Sequence, residues 1–241
     1  MESFRVSRGF TLVEMLVVLS IIGIITSVAV TGQAAFNRSF ILSNTAYDIA
    51  LTLRSAEAYG LGNRAIGDRS TGYGLNFNRL TPSVFTLFVD SYRPVGSESS
   101  QLCHPLPAND PRGPDARPGN CAYDASQGER KTAYTLGNGI TINKFCANDG
   151  SWRCSTELPC TEIWLGGRKT CVTVRNSRLS SLDIIFARPD TQPFMSVNGS
   201  YSKSSPVSQA CLEIASPQGS SRYIYVFSSG AITTNALSCP P

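Results

Sequence analysis

Histidine is nearly absent from this 241-residue chain, with His104 the single example. Catalysis that needs two histidines, or a multi-histidine metal site, is thereby excluded. No cysteine precedes Cys103 and no proline precedes Pro82, so the first third has neither a crosslink nor a helix breaker. Charge is scarce, with Asp, Glu, Lys and Arg making up 16% of the chain. The excess of 21 basic over 17 acidic residues gives a net charge of +4, too small for a dedicated nucleic-acid binder. A hydrophobic content of 41% excludes disorder throughout, and 20 Gly with 14 Pro argue against a long all-helical protein. The length fits one or two domains.

What is present begins at the N-terminus. Arg5 and Arg8 are followed by a stretch from Met15 to Asn37 with no charged residue. As a helix it reaches roughly 35 Å, enough for a hydrocarbon core of about 30 Å. The two arginines hold the N-terminus on the cytoplasmic side and send the rest outward. All eight cysteines (Cys103, Cys121, Cys146, Cys154, Cys160, Cys171, Cys211 and Cys239) lie in the part sent outward, where an oxidising compartment lets disulfides persist. An ordinary secretory signal peptide, cut near Gly32 or Ala34, is the competing reading and would release a soluble protein. Against it, the helical pattern continues past those small residues. Phe36, Phe40, Tyr47, Leu51 and Ala58 recur at steps of four and seven, and Gly60 and Gly62 mark a stop. One helix over 10–60 is expected, its apolar stripe laid on the sheet that follows.

Glu14 stands at the lip of the apolar run. A lone carboxylate in lipid is costly unless it meets a cation, so it is either an interfacial acid at headgroup depth or one that meets a positive partner. The string Gly9-Phe10-Thr11-Leu12-Val13-Glu14, with the basic leader before it and the apolar run after it, resembles the leader of type IV pilins and type II secretion pseudopilins. The resemblance covers about residues 5–30. It implies that residues 1–9 are a leader, cut by a prepilin peptidase between Gly9 and Phe10, with Phe10 then N-methylated. It implies that Glu14 meets the N-terminal amine of a neighbouring subunit during assembly on an inner-membrane platform. Amine and carboxylate, each costly alone in lipid, offset one another when helices bundle. Major pilins of this family carry a proline near what is here Thr31. This chain has none, which leans towards a minor pilin or a pseudopilin.

Beyond Gly62 the pattern turns to short β runs. Strands are expected at 72–78, 83–90, 132–136, 139–146, 162–165, 171–174, 182–187, 210–216 and 222–228, with 217–221 a hairpin loop. The fold class is therefore α+β: a long N-terminal transmembrane and amphipathic helix packed on an antiparallel β head over 61–241, disulfide-stapled and pilin-like. The run Arg222-Tyr-Ile-Tyr-Val-Phe-Ser-Ser-Gly230, with Asp48-Ile-Ala-Leu-Thr-Leu-Arg54 and Gly72-Tyr-Gly74, resembles the GspH/FimT-like branch. Some members of that branch bind DNA through basic residues after the final hairpin glycine. Here Gly230 is followed by Ala231-Ile232-Thr233-Thr234, so nucleic acid is not the favoured partner.

Residues 93–130 form an insertion, with six of the 14 prolines between 94 and 118. Cys103 and Cys121 bracket most of it and are expected to pair. Cys160 and Cys171 flank a hairpin at Gly166-Gly167, and Cys146 and Cys154 are left over. A Cys211–Cys239 pair is implied by resemblance to the C-terminal disulfide loop of many pilin heads. Eight cysteines allow 105 connectivities, and spacing does not choose among them.

Rival chemistry is thin. Cys146, Cys154 and Cys160 lack the tight hooks of a zinc site, so no metal and no cofactor is expected. Ser200-Tyr-Ser-Lys203 matches a hydrolase pattern without its companion motifs, and no enzyme is read. Arg168, Lys169, Arg175 and Arg178 read as a solvated strand edge rather than a specific site. Asn198-Gly-Ser200 carries no weight as a glycosylation signal. The function expected is a structural subunit of a type IV pilus or secretion pseudopilus, with membrane lipid and other such subunits as partners. The alternative is a pilin-anchored module that binds DNA or a surface ligand.

Overall fold

A computed structural model describes residues 9–62, 65–66, 69–70, 72–91, 119–156, 161–165, 168–172, 178–188 and 190–240. The leader before Gly9, His104, Cys103, Cys160 and Arg175 lie outside them, as do the side chains of Arg168, Lys169 and Cys171. The chain divides into two compact units, 1–41 and 42–241.

One helix, α1, runs from Leu12 to Leu61. No proline interrupts it, and Gly62 N–H closes its last turn on Ala58 O at 2.9 Å. Its first unit is solvent-facing apolar surface. Its continuation in the second unit buries Leu42, Ala46, Ile49, Leu53, Ala56 and Gly60 at helical spacing.

This corrects the sequence expectation about which stripe packs. Phe36, Phe40, Tyr47, Leu51 and Ala58 are exposed, Leu51 at 66% and Tyr47 at 57%. The packing face is the opposite one, rich in small residues because the helix comes very close to a strand. A Cβ on Gly60 would overlap Phe186 O. No side chain fits at Gly60, and with Ala46 and Ala56 on the same face the aromatic residues that attract attention in the sequence lie on the other one.

Among the described residues fourteen strands follow. Two short hairpins, β1(Ala65–Ile66)–β2(Arg69–Ser70) and β8(Thr161–Leu165)–β9(Arg168–Val172), stand as separate pairs. The first large sheet contains β3(Gly72–Asn78), β4(Val84–Asp90), β5(Arg130–Thr135), β10(Ser181–Phe186) and β11(Phe194–Val197), ordered β11-β10-β3-β4-β5. The second contains β6(Thr141–Asn148), β7(Trp152–Cys154), β12(Gln209–Ala215), β13(Ser221–Phe227) and β14(Ile232–Thr233), ordered β14-β13-β12-β6-β7. Every pairing is antiparallel. The architecture is α+β, with a pilin-like long helix and a β head.

Both faces of β3, β4 and β10 are covered, which explains their almost unbroken burial. Register places Tyr73, Leu75, Phe77, Leu87, Ile184 and Phe186 on one face. The lower part of α1 covers it: the Tyr59 and Tyr73 rings meet edge-on with centroids 5.6 Å apart. The other face carries Gly74, Asn76, Phe88, Asp90, Asp183 and Ile185. There Gly74 is required, since a Cβ would lie 2.6 Å from Ile184 O. The second sheet meets the same helix at its rim, where Arg54 donates to Gly230 O at 3.2 Å and Arg222 Nε to Ser43 Oγ at 3.1 Å.

The inner face of the second sheet is aliphatic, through Ala210, Leu212, Ile214, Ile224 and Val226. Its outer face carries sulfur. Cys146 is bonded to Cys154 and Cys211 to Cys239, and Cys146 sits directly across from Cys211. The C-terminal tail folds back over this face, held by Tyr225 Oη donating to Ser238 O at 2.9 Å and by Lys144 Nζ donating to Pro240 O. Cys121 is also disulfide-bonded. The expected Cys103–Cys121 and Cys160–Cys171 pairings fall outside the described residues.

The two helix faces make opposite predictions. Leu53→Ala should destabilise the head by about 2–5 kcal/mol, whereas Leu51→Ala should stay within about 0.5 kcal/mol of the parent. Paired denaturant titrations of the full chain in detergent read the difference. Equal losses would place the helix on the wrong face.

Candidate functional site

Two places in the described structure hold polar groups in arrangements that packing alone does not require. The first is the start of α1. Thr11 N–H and Thr11 Oγ1 both donate to Glu14 Oε2 at 3.0 Å, and Glu14 N–H donates back to Thr11 Oγ1 at 3.2 Å. This is a capping box, in which the residue before the helix and the third residue within it satisfy each other's backbone donors. Sequence reading singled out Glu14 and missed Thr11, although Thr-x-x-Glu ahead of an apolar run is the pattern that announces it. Glu14 therefore has a structural duty as helix cap. Among the described residues only Oε2 is engaged, which leaves Oε1 for another donor. Gly9 and Phe10 precede the cap outside the helix, with Phe10 81% exposed.

After Glu14 the helix is bare. Leu12–Val30 has a mean hydropathy of 2.5 over 19 residues, and none of it is buried by the rest of the chain. A core helix of a soluble protein has the same length and composition but is covered. At about 1.5 Å per residue this stretch spans close to 30 Å, the thickness of a hydrocarbon layer.

Residues 4–30 match the family described as the prokaryotic N-terminal methylation motif. The leader is of prepilin type. The match takes in Gly9, Phe10 and Glu14, and it supports a membrane-anchored precursor of the type IV pilin or pseudopilin kind. No curated protein and no solved structure matches the chain.

The second place is a knot of carboxylates on the first sheet's face away from the helix. Asp90 ends β4 and Asp183 lies within β10, both fully buried, while Glu129 just before β5 is 3% exposed. Each carboxylate holds backbone of the segment leading into β5. Asp90 Oδ2 accepts Cys121 N–H at 2.8 Å, and Asp183 Oδ2 accepts Tyr123 N–H at 3.3 Å. Glu129 accepts Asp124 N–H and Ser91 N–H, both at 2.8 Å. Asn76 Nδ2 donates to Asp183 Oδ1 at 2.5 Å, and Ser196 Oγ donates to Cys121 O. Cys121 itself sits at φ 59°, a left-handed conformation that a non-glycine residue adopts only when its neighbours fix it.

Residues 119–130, the end of the expected insertion, are thus packed structure, with a short 3-10 turn at Ala125–Gln127. The Tyr123 ring lies on Phe88 with centroids 5.1 Å apart. None of these acids was legible as functional in the sequence. The available signal was an acid inside an otherwise apolar strand, as in Ser181-Leu-Asp183-Ile-Ile-Phe186.

Burial makes the acids of the knot harder to ionise than free carboxyl groups. Among the described residues no group of three or more Cys, His, Asp or Glu side chains is arranged to hold an ion. Burial pushes Asp183 up to about 7, against the lowering effect of its bonds to Asn76 and Tyr123. Burial and then the nearby Glu129 charge push Asp90 well above the usual carboxylate range.

The other residues of interest do not gather. Ser200 and Lys203 are exposed around the turn after β11, and Arg178 is exposed ahead of β10.

The raised values fix the sign of a pH dependence. An acid whose folded pKa lies above its unfolded value near 3.8 binds more protons in the native state. Its contribution is fully present below about pH 4 and is lost as pH rises through about 7. The head should therefore melt at a lower temperature at pH 8 than at pH 5. In Asp183→Asn that slope should flatten, whatever the change in absolute stability. Near-ultraviolet circular dichroism of the full chain in detergent at the two pH values reads both, and a wild-type slope of opposite sign would refute the assignment.

Proposed function

We propose that this chain is a structural, minor-type pilin or pseudopilin subunit, with no catalytic role. In this reading the prepilin peptidase cuts between Gly9 and Phe10 and methylates Phe10. The precursor sits as a single span in the inner membrane with its head outside the cytoplasm. An assembly platform then draws it into a type IV pilus or secretion pseudopilus beside other subunits of the kind. The observation that carries the reading is a bare apolar span that follows Gly9-Phe10 directly and holds one carboxylate at its mouth.

Glu14 is assigned the assembly role because its geometry leaves it half-satisfied. Thr11 occupies Oε2. Oε1 can take the amine of a neighbour's Phe10, joining two groups that are each costly in lipid. The capping box also fixes where the carboxylate sits, so the incoming amine meets a preset acceptor.

Intact mass of the membrane-extracted protein tests processing. The mature chain should begin at methylated Phe10, and Gly9→Val should keep residues 1–9 attached. Release of a soluble product lacking the apolar span would instead favour an ordinary signal peptide. For assembly, Glu14→Ala should insert into the membrane at normal levels yet fail to enter sheared filaments. Normal incorporation would remove Glu14 from the mechanism.

A further inference from the structure

The sulfurs on the outer face of the second sheet lie in one row. Register sets Cys211 of β12 opposite Cys146 of β6, and Cys146 opposite Cys154 of β7, so the row crosses three neighbouring strands. Opposed residues of antiparallel strands project from the same face with Cα atoms about 4.5–5.5 Å apart, within the range of about 4.4–6.8 Å over which a disulfide forms. Cys146 therefore has a cysteine at bonding distance on each side. The folded head bonds it to Cys154, and bonds Cys211 to Cys239 of the C-terminal tail.

The two bonds are not equally protected. The tail lies over the row, with Pro240 O 3.9 Å from each sulfur of the Cys146–Cys154 bond. Besides Cys239, hydrogen bonds from Tyr225 Oη and Lys144 Nζ hold this tail, and its Leu237 is 95% exposed. Cys239 itself is 8% exposed, against 1% or less for Cys146, Cys154 and Cys211. Thiol exchange depends on access to a sulfur, so it starts at Cys239. Opening that bond lifts the cover from the other disulfide and leaves Cys211 as a thiolate beside it.

We propose that these four cysteines form a thiol-exchange relay, entered at Cys239 by a dithiol reductant and ending in a Cys146–Cys211 bond. A thiolate of the reductant attacks Cys239 Sγ, and Cys211 leaves as a thiolate. The second thiol of the reductant closes on the first, giving its cyclic disulfide and freeing Cys239 as a thiol. The Cys211 thiolate then attacks Cys146 Sγ, and Cys154 leaves and takes up a proton. Nucleophile and leaving group come from strands on opposite sides of β6, the alignment that displacement at sulfur needs. In balance the reductant gives up two electrons and two protons, and Cys154 and Cys239 become thiols. The new bond closes a longer stretch of chain than Cys146–Cys154 does, which favours it in the chain-entropy view. It keeps β6 tied to β12 while it frees β7 and the tail, so reduction loosens the margin of the sheet and spares its centre. The relay is independent of the anchor and of any filament.

The test uses the full chain in uncharged detergent micelles, titrated with dithiothreitol at fixed pH, quenched with N-ethylmaleimide and mapped by peptide mass spectrometry without further reduction. In molecules that have lost one disulfide of the row, the label should sit on Cys154 and Cys239, together with a Cys146–Cys211 linked peptide. Cys239→Ser should reach the same linkage with no reductant, leaving Cys154 as the labelled cysteine of the row. Cys211→Ser removes the internal nucleophile, so Cys239 should be labelled and Cys146–Cys154 retained. Should either variant fail to fold, partial reduction of the parent still decides. Label on Cys211 and Cys239 with Cys146–Cys154 intact, label on Cys146 and Cys154 with Cys211–Cys239 intact, or a free Cys211 in Cys239→Ser would each overturn the proposal.

Discussion

Among the described residues nothing covers the apolar start of α1, and the polar groups at its N-terminus answer to that fact. Leu12–Val30 exposes all of its side chains. Leaving a Leu, Ile or Val side chain in water forgoes roughly 1.5–3 kcal/mol each, so a run of this length has to be covered by lipid or by other helices. Everything polar about the N-terminus serves that transfer. Backbone donors at a helix start are orphaned, and in lipid no water can satisfy them. The Thr11–Glu14 box supplies acceptors from within the chain.

The same helix becomes an ordinary amphipathic element once the head begins. From Leu42 onward its buried face is lined by small and aliphatic residues, and Gly60 lets its backbone touch β10. What was readable in the sequence, and what was not, follows from this. The continuous helix and its stop were legible because no proline intervenes and Gly62 follows at once. The packing face was not, because the largest apolar side chains, Phe36, Phe40, Tyr47 and Leu51, point to solvent, whereas Ala46, Ala56 and Gly60 mark the contact by being small.

Among the strands, β3, β4, β10, β12 and β13 announced themselves as alternating or continuous apolar runs. Strand β7 hid behind Asp149-Gly-Ser151, and β11 is only four residues long, between Pro193 and Asn198-Gly199. Short edge strands take their conformation from a neighbour's hydrogen bonds rather than from their own composition, so no local signal marks them. The carboxylate knot was equally hidden. Asp90, Glu129 and Asp183 are separated by up to 93 residues of sequence, and only the register of β3, β4 and β10 brings two of them to one face.

Two kinds of staple then share the head, and they respond to different variables. On the second sheet the disulfides Cys146–Cys154 and Cys211–Cys239 close spans of 8 and 28 residues. In the chain-entropy view these contribute about 2.5 and about 3.5 kcal/mol respectively, independent of pH. On the first sheet the carboxylates hold the chain from Asn120 to Glu129 against β4 and β10 through backbone hydrogen bonds whose strength depends on a proton. Burying two acids with raised pKa values makes folding take up protons from a neutral medium, which weakens the native state there. That arrangement is tolerable where covalent crosslinks bear on the neighbouring sheet, and those crosslinks persist only in an oxidising compartment. The two disulfides therefore tie the stability of the head to an oxidising compartment. A head kept reduced at pH 8 would lack its disulfides and would also bear the cost of ionising buried acids, so the two kinds of staple weaken under different conditions and reinforce one another.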